Sequence, residues 1–128
     1  MADAGTVLIA VADGVLADSL RFSLELEGFA VKLCDEFTVT RAVPADGRRR
    51  CLVADQAVFA RIGERAPDLA AWSVPVVLMV GYKTDRLVDR AEAAGVAEVV
   101  ETPLFGRALF DAIKSALDRA ESRAQPPA

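Results

Sequence analysis

Residues 6–14 read TVLIAVADG, a short apolar run followed by one acidic residue and a glycine. Its length and valine content are typical of a strand that is buried on both faces. Such strands often carry acidic side chains to a site at their carboxyl end. Here the two residues at the tip, Val11 and Ala12, carry no group that binds or reacts. The question is whether Asp13 belongs to a site or caps the next helix.

Similar runs recur along the chain and alternate with helical patterns. Further strands are predicted at 30–34, 51–54, 75–80 and 96–101, and helices at 14–27, 37–43, within 57–71, at 84–94 and at 106–121. This alternation predicts an α/β fold, a doubly wound parallel sheet with helices on both faces. A ligand site in such a sheet lies at the carboxyl ends of the strands.

The length and composition of the chain indicate what class of protein it is. The 128 residues are 53% hydrophobic and 27% charged, as expected for one globular domain. We expect that domain to cover residues 1–120, with a disordered tail over 121–128. No apolar run is long enough to span a bilayer, and no secretory signal opens the sequence, so a cytoplasmic protein without membrane contact is predicted. The net charge of −4 argues against nucleic acid as a partner.

The amino-acid content also limits the kinds of catalytic and metal sites that the chain can form. The chain has no histidine, which excludes catalysis by Ser-His-Asp and Cys-His sets. Its two cysteines, Cys34 and Cys51, lie in apolar surroundings without a metal-binding spacing, so we interpret them as reduced core thiols. No nucleophile, base and orienting group can be assembled from the strand ends. An enzyme is therefore not expected.

With these strand ends and helices, residues 5–120 resemble the receiver domain of bacterial response regulators. VLIAVADGVLADSLRFSLELEGFAV is similar to the first strand, first helix and second strand of that family, and CLVAD to the strand that ends in the phosphoacceptor aspartate. PVVLMVGY is similar to the fourth strand, and AGVAEVVETPL to the segment that ends in a Lys-Pro pair. The resemblance implies a five-stranded sheet with the flavodoxin-like order 2-1-3-4-5.

The resemblance also implies a site, and most of that site is missing. It places the phosphoacceptor at Asp55 and retains Pro103 of the Lys-Pro pair. The two magnesium-binding acids of the family fall on Val11 and Ala12, the hydroxyl residue on Val80, and the lysine on Thr102. Without these groups, efficient Mg²⁺-dependent phosphorylation is not expected. We predict no metal and no other cofactor.

The sequence allows two interpretations for each of the acidic residues Asp13 and Asp55 at this edge. Asp13 stands one residue beyond the position of the acid pair, where an aspartate caps the first amides of a helix. The alternative is a weak metal contact shared with Asp55. Asp55 is either held by neighbouring amides as a relic or is still a functional switch.

Three functions follow from these observations. The first is a stand-alone pseudo-receiver, a protein-interaction module of a two-component or phosphorelay pathway whose partner is a histidine kinase or another signalling protein. The second is a response regulator phosphorylated on Asp55 in an unusual site. The third is a flavin or nucleotide binder in which Trp72 and Tyr82 stack on a ring, although no phosphate-binding glycine motif is present.

Two surfaces are candidates for partner binding. By analogy with the family, the first comprises the fourth helix, fifth strand and fifth helix, with Arg86, Arg90, Val99, Arg107, Phe110 and Lys114 as contacts. The second is the first helix, where Val15, Phe22 and Leu26 widen the apolar arc to about 200° at 100° per residue. One interpretation is that this surface binds a partner or a second copy of the chain. The alternative is burial of these side chains by neighbouring loops.

Overall fold

The computed structural model describes residues 5–35, 37–39, 49–65, 74–102 and 107–124. The strands are β1 (Thr6–Ala10), β2 (Ala30–Leu33), β3 (Arg50–Asp55), β4 (Val76–Val80) and β5 (Glu98–Glu101). The helices are α1 (Gly14–Leu26), α2 (Gln56–Arg65), α3 (Asp85–Ala93) and α4 (Ala108–Ala124). Of the predicted helix at 37–43 only residues 37–39 are described, and the end of the one within 57–71 and Pro103 lie outside the described residues.

The five strands form one parallel sheet in the order β2-β1-β3-β4-β5, which confirms the predicted topology. The register aligns Ala54 with Ala10 of β1 and with Leu78 of β4. Asp55, the last residue of β3, therefore lies between the ends of β1 and β4 and still pairs with Met79. This placement puts the carboxylate at the edge where a parallel sheet carries its functional groups.

Alternate residues of the central strands pack on opposite faces of the sheet. One face holds Val7, Ile9, Val53 and their neighbours against α1 and α4, and the other holds Leu8, Leu52, Leu78 and their neighbours against α2 and α3. Each β1 side chain is buried whichever way it points, which explains why the strand is apolar from Val7 to Ala10, with Thr6 as its one polar residue.

Both outer strands are less buried than predicted, β2 more so than β5. The sequence predicts that 30–34 is buried on both faces, but Ala30, Lys32 and Leu33 of β2 are exposed. The strand lies at the sheet edge, where it pairs with β1 alone, and α1 covers only part of it. A run of five apolar and polar residues does not by itself tell an edge strand from a central one.

The first helix ends close to its predicted position, and the last helix ends later than predicted. Gly28 has a φ of +96°, the left-handed conformation that favours glycine after a helix. The last helix runs to Ala124 and so takes in the first four residues of the predicted disordered tail, because helix-forming residues continue there. Residues 125–128 lie outside the described part. None of the described helices is long and apolar enough to cross a membrane.

The two cysteines occupy different environments. Cys51 on β3 is fully buried, and burial raises the pKa of its thiol to about 12. Cys34 follows β2 and is half-buried, and its pKa is raised to about 11 by burial and by the negative charge of Asp35. Both thiols are unpaired, as predicted, and both are protonated at neutral pH.

Candidate functional site

The residues that the resemblance assigned to a site meet at the carboxyl edge of the sheet. Asp55 ends β3, Val11 and Ala12 follow β1, and Val80 ends β4. The register holds these strand ends side by side. Thr102, which follows β5, joins them through hydrogen bonds to the carbonyl oxygen of Val80. Pro103 lies outside the described residues.

The carboxylate of Asp55 is held by backbone amides. Its Oδ2 accepts a hydrogen bond from the amide of Ala12 at 2.9 Å, and its Oδ1 accepts one from the amide of Val58 at 2.7 Å. The second bond has the geometry of an N-cap, since Val58 is the third residue of α2. The prediction that neighbouring amides hold Asp55 is confirmed.

Asp13 caps the first helix. Its Oδ1 accepts hydrogen bonds from the amides of Val15 at 3.0 Å and Leu16 at 3.2 Å, and its backbone is extended. These are two of the amides that a helix leaves without partners in its first turn. The capping role predicted for Asp13 is confirmed, and its Oδ1 is engaged at the helix terminus.

The end of β4 is bound to the residue after β5. The hydroxyl of Thr102 donates a hydrogen bond to the carbonyl oxygen of Val80 at 3.2 Å, and the amide of Thr102 donates to the same oxygen at 2.8 Å. The side chain of Val80 is almost fully buried. The only hydroxyl among these site positions is thus directed to a backbone carbonyl.

This donor set does not fit a magnesium ion. Mg²⁺ requires several oxygen ligands in near-octahedral geometry. Val11 and Ala12 have no side-chain oxygen, and both oxygens of Asp55 already accept hydrogen bonds. The described residues contain no group of three or more acidic, cysteine or histidine side chains that could hold a metal ion.

Two polar interactions near this edge were not predicted. Glu101 accepts a hydrogen bond from the amide of Lys83 at 2.6 Å, which ties the loop after β4 to β5. Beyond β2, the exposed carboxylate of Asp35 accepts hydrogen bonds from the amides of Phe37 and Thr38 and from the Thr38 hydroxyl. These bonds lower the pKa of Asp35, the amide of Phe37 contributing most. The spacing of Asp35 and Thr38 is a capping signal that could have indicated this turn.

Part of the first predicted partner surface points toward α1 instead. The guanidinium of Arg107 forms an ion pair with Glu27 at 3.1 Å and lies 4.2 Å from the ring centre of Phe110. That ring also makes an edge-to-face contact with Phe29, with centres 5.9 Å apart. Arg107 and Phe110 therefore connect the start of α4 to the end of α1.

The other members of that surface are spread over three elements. Arg86 and Arg90 are exposed on α3, and Lys114 is exposed on α4 with its ammonium 5.7 Å from the ring centre of Phe110. Val99 of β5 is half-buried and lines a groove of about 620 Å³ between β5 and α4. This groove and the three exposed side chains leave much of the predicted surface accessible in the described part of the chain.

The second predicted surface is exposed. Val15, Phe22 and Leu26 on α1 are 82%, 66% and 73% accessible to solvent. The alternative, burial of these side chains by neighbouring loops, is wrong. Of the two aromatic residues considered for ring stacking, Tyr82 is exposed beyond β4, and Trp72 lies outside the described residues.

No family model and no curated protein sequence matches the chain. Solved structures of response regulators do match. FixJ-N is 26% identical with a TM-score of 0.74, over 92% of this chain and 96% of that one. Full-length FixJ from B. japonicum is 25% identical with a TM-score of 0.74, over 96% of this chain but only 62% of that one. A response regulator receiver domain protein from Clostridium thermocellum is 16% identical with a TM-score of 0.72, over 93% and 98%. The chain therefore has the fold of the response regulator receiver domains.

Proposed function

We propose that this chain is a pseudo-receiver, a cytoplasmic protein-interaction module of two-component or phosphorelay signalling that works without efficient Mg²⁺-dependent phosphorylation. The link to signalling is supported by the receiver fold that the chain shares with response regulators. Its partner in this proposal is a histidine kinase or another protein of such a pathway. The chain acts by binding and not as an enzyme.

The observation that carries the proposal is the state of Asp55. Both of its oxygens accept hydrogen bonds from amides, and Val11 and Ala12 beside it offer no carboxylate to help it hold a metal ion. Phosphoryl transfer depends on positioning and on neutralising charge. A carboxylate that is occupied by amides and lacks a metal site is a poor acceptor.

The residues around Asp55 would also destabilise its phosphorylated form. A phosphorylated aspartate carries close to two negative charges. The positions that would bind this group in the family hold Val80 and Thr102 here, and the hydroxyl of Thr102 already donates to a carbonyl. Losing one preorganised electrostatic contact typically reduces a rate by about a hundredfold to a thousandfold, and several are lost here.

The proposal is tested by incubating the chain with acetyl phosphate and Mg²⁺ and measuring its intact mass. We expect no stable added phosphoryl group on the wild type, and the same spectrum for Asp55→Asn. A phosphoryl group that appears on the wild type and disappears in Asp55→Asn would overturn the proposal. It would support the other candidate, a receiver that is phosphorylated on Asp55.

A further inference from the structure

The loop that joins β4 to α3 is bound by side chains of another strand. Its residues, 81–84, are all exposed, so packing contributes little to their conformation. A Cβ atom added at Gly81 would meet nothing within 4 Å beyond its own chain neighbours. Two adjacent residues at the end of β5, Glu101 and Thr102, instead bind the two ends of this loop through hydrogen bonds.

These bonds occupy the groups with which the loop would otherwise close on itself. In a closed four-residue turn the carbonyl of the first residue accepts a hydrogen bond from the amide of the fourth. For residues 80–83 these groups are the carbonyl of Val80 and the amide of Lys83. The carbonyl accepts from the amide and the hydroxyl of Thr102, at 2.8 and 3.2 Å, which uses both of its lone pairs. The amide donates to Oε2 of Glu101 at 2.6 Å. The turn therefore stays open.

The carboxylate of Glu101 makes the stronger of the two side-chain bonds. A hydrogen bond to an ionised acceptor is shorter and stronger than one between neutral groups. The distance of 2.6 Å to Glu101, against 3.2 Å for the hydroxyl of Thr102, agrees with this order. Because Glu101 pairs with Val80 in the register of β4 and β5, its backbone is fixed in the sheet. The amide of Lys83 is thus bound from a rigid position.

The loop passes this constraint on to two neighbouring parts of the fold. Lys83 lines the groove of about 620 Å³ between β5 and α4. The next residue, Thr84, caps α3, because its hydroxyl accepts a hydrogen bond from the amide of Leu87 at 3.1 Å. The bond from Lys83 to Glu101 therefore links the end of β5 to the edge of the groove and to the first turn of α3.

We propose that Glu101 and Thr102 form a latch that keeps the loop after β4 open, and that the turn 80–83 closes its own hydrogen bond when the latch is removed. Glu101 is a positioning residue that acts through the amide of Lys83. This latch goes beyond the proposed function and does not depend on the chemistry of Asp55.

The test measures how fast the amide proton of Lys83 exchanges with solvent, by NMR on the full chain. Glu101→Ala is expected to speed this exchange about tenfold or more, because a bond to a charged acceptor is lost. Glu101→Gln keeps an oxygen acceptor without the charge, so an intermediate rate is expected. The matched control is Glu92→Ala, at an exposed glutamate of α3, which leaves the rate unchanged.

A double variant separates a latch from an ordinary stabilising contact. Thr102→Val removes the hydroxyl but keeps the branched shape and the amide, so the carbonyl of Val80 regains a lone pair. Glu101→Ala with Thr102→Val should exchange at least about threefold more slowly at Lys83 than Glu101→Ala alone, because the turn bond can now form. For two ordinary contacts, the second loss would speed exchange further. Circular dichroism confirms that each variant is folded.

Two outcomes would overturn the proposal. If the amide of Lys83 exchanges equally fast in Glu101→Ala and Glu92→Ala, the carboxylate of Glu101 does not hold the loop. If the double variant exchanges as fast as Glu101→Ala or faster, the turn does not close when the latch is removed. Phosphorylation of Asp55 in the mass experiment would overturn the pseudo-receiver proposal but would leave these exchange rates standing, so the two failures are distinguishable.

Discussion

The carboxylate of Asp55 accepts a hydrogen bond from the backbone amide of Ala12 at 2.9 Å, across 43 positions of sequence. Its other oxygen accepts a hydrogen bond from the amide of Val58 in the first turn of α2. One side chain therefore holds the loop after β1 and the start of a helix in register at the sheet edge. Asp55 has a structural role here, separate from any role as a phosphoacceptor.

Replacement of Asp55 by alanine should lower the free energy of unfolding by about 1–2 kcal/mol, because a helix cap and a second amide bond are lost. Asp55→Asn keeps one side-chain oxygen as an acceptor, so a smaller loss is expected. Urea denaturation followed by circular dichroism measures both. Asp89→Ala, at an exposed aspartate of α3, is the matched control. If Asp55→Ala is as stable as Asp89→Ala, Asp55 does not hold this edge.

Removal of the carboxylate of Asp13 should cost about 1 kcal/mol of stability, because Val15 and Leu16 lose the acceptor for their amides. Asp13→Ser retains a capping oxygen and should restore most of this loss. The same denaturation experiment compares the two variants. A melting temperature that rises with Mg²⁺ in the wild type, but not in Asp13→Ala or Asp55→Asn, would instead support a metal site shared by the two acids.

The fold could be predicted because buried parallel strands leave a strong signal. Runs such as 7–10 and 76–80 are apolar throughout since both of their faces are covered. The exposure of β2 could not be predicted in this way. Its burial depends on which neighbour and which helix cover it, and a four-residue strand carries little information about either.

The contacts in the candidate site also differ in whether the local sequence could predict them. The capping roles of Asp13 and Asp55 could be predicted because they depend on amides of the turns that these residues themselves begin. The bond from the Ala12 amide to Asp55, across 43 positions, does not follow from the local sequence in this way. The orientation of Arg107 and Phe110 could not, because their partners Glu27 and Phe29 lie about 80 residues earlier in the chain. Contacts between distant segments depend on packing that the local pattern does not contain.

The buried thiol of Cys51 should make the chain less stable at high pH. Its pKa is about 12 in the folded state, against 9.0 for a free thiol, because burial disfavours the thiolate. Stability is therefore fully present below pH 9, where the unfolded thiol is protonated, and is lost as the pH rises from 9 toward 12. Unfolding free energies at pH 7 and pH 10 should differ more for the wild type than for Cys51→Val. Equal differences would show that this thiol ionises alike in both states.

The functional groups that the receiver site lacks in this chain can be restored by substitution. Val11→Asp and Ala12→Asp supply the magnesium-binding acids that the resemblance assigns to these positions, while Val80→Thr and Thr102→Lys supply the hydroxyl and the cation. The combined variant should accept a phosphoryl group from acetyl phosphate at Asp55 at least about a hundredfold faster than the wild type. Threonine preserves the branched shape of buried Val80, and the amide of residue 102 can still donate to the carbonyl of residue 80. Intact mass over time gives the rate.

Two controls separate restored chemistry from a nonspecific reaction. The combined variant with Asp55→Asn should gain no phosphoryl group. Val80→Thr with Thr102→Lys alone should remain close to the wild type, because the ion still lacks carboxylate ligands at positions 11 and 12. If the wild type reacts as fast as the combined variant, the groups absent from Val11, Ala12, Val80 and Thr102 are not what limits phosphorylation. The carboxylate of Asp55 would then leave its amide partners readily, and the pseudo-receiver proposal would lose its physical basis.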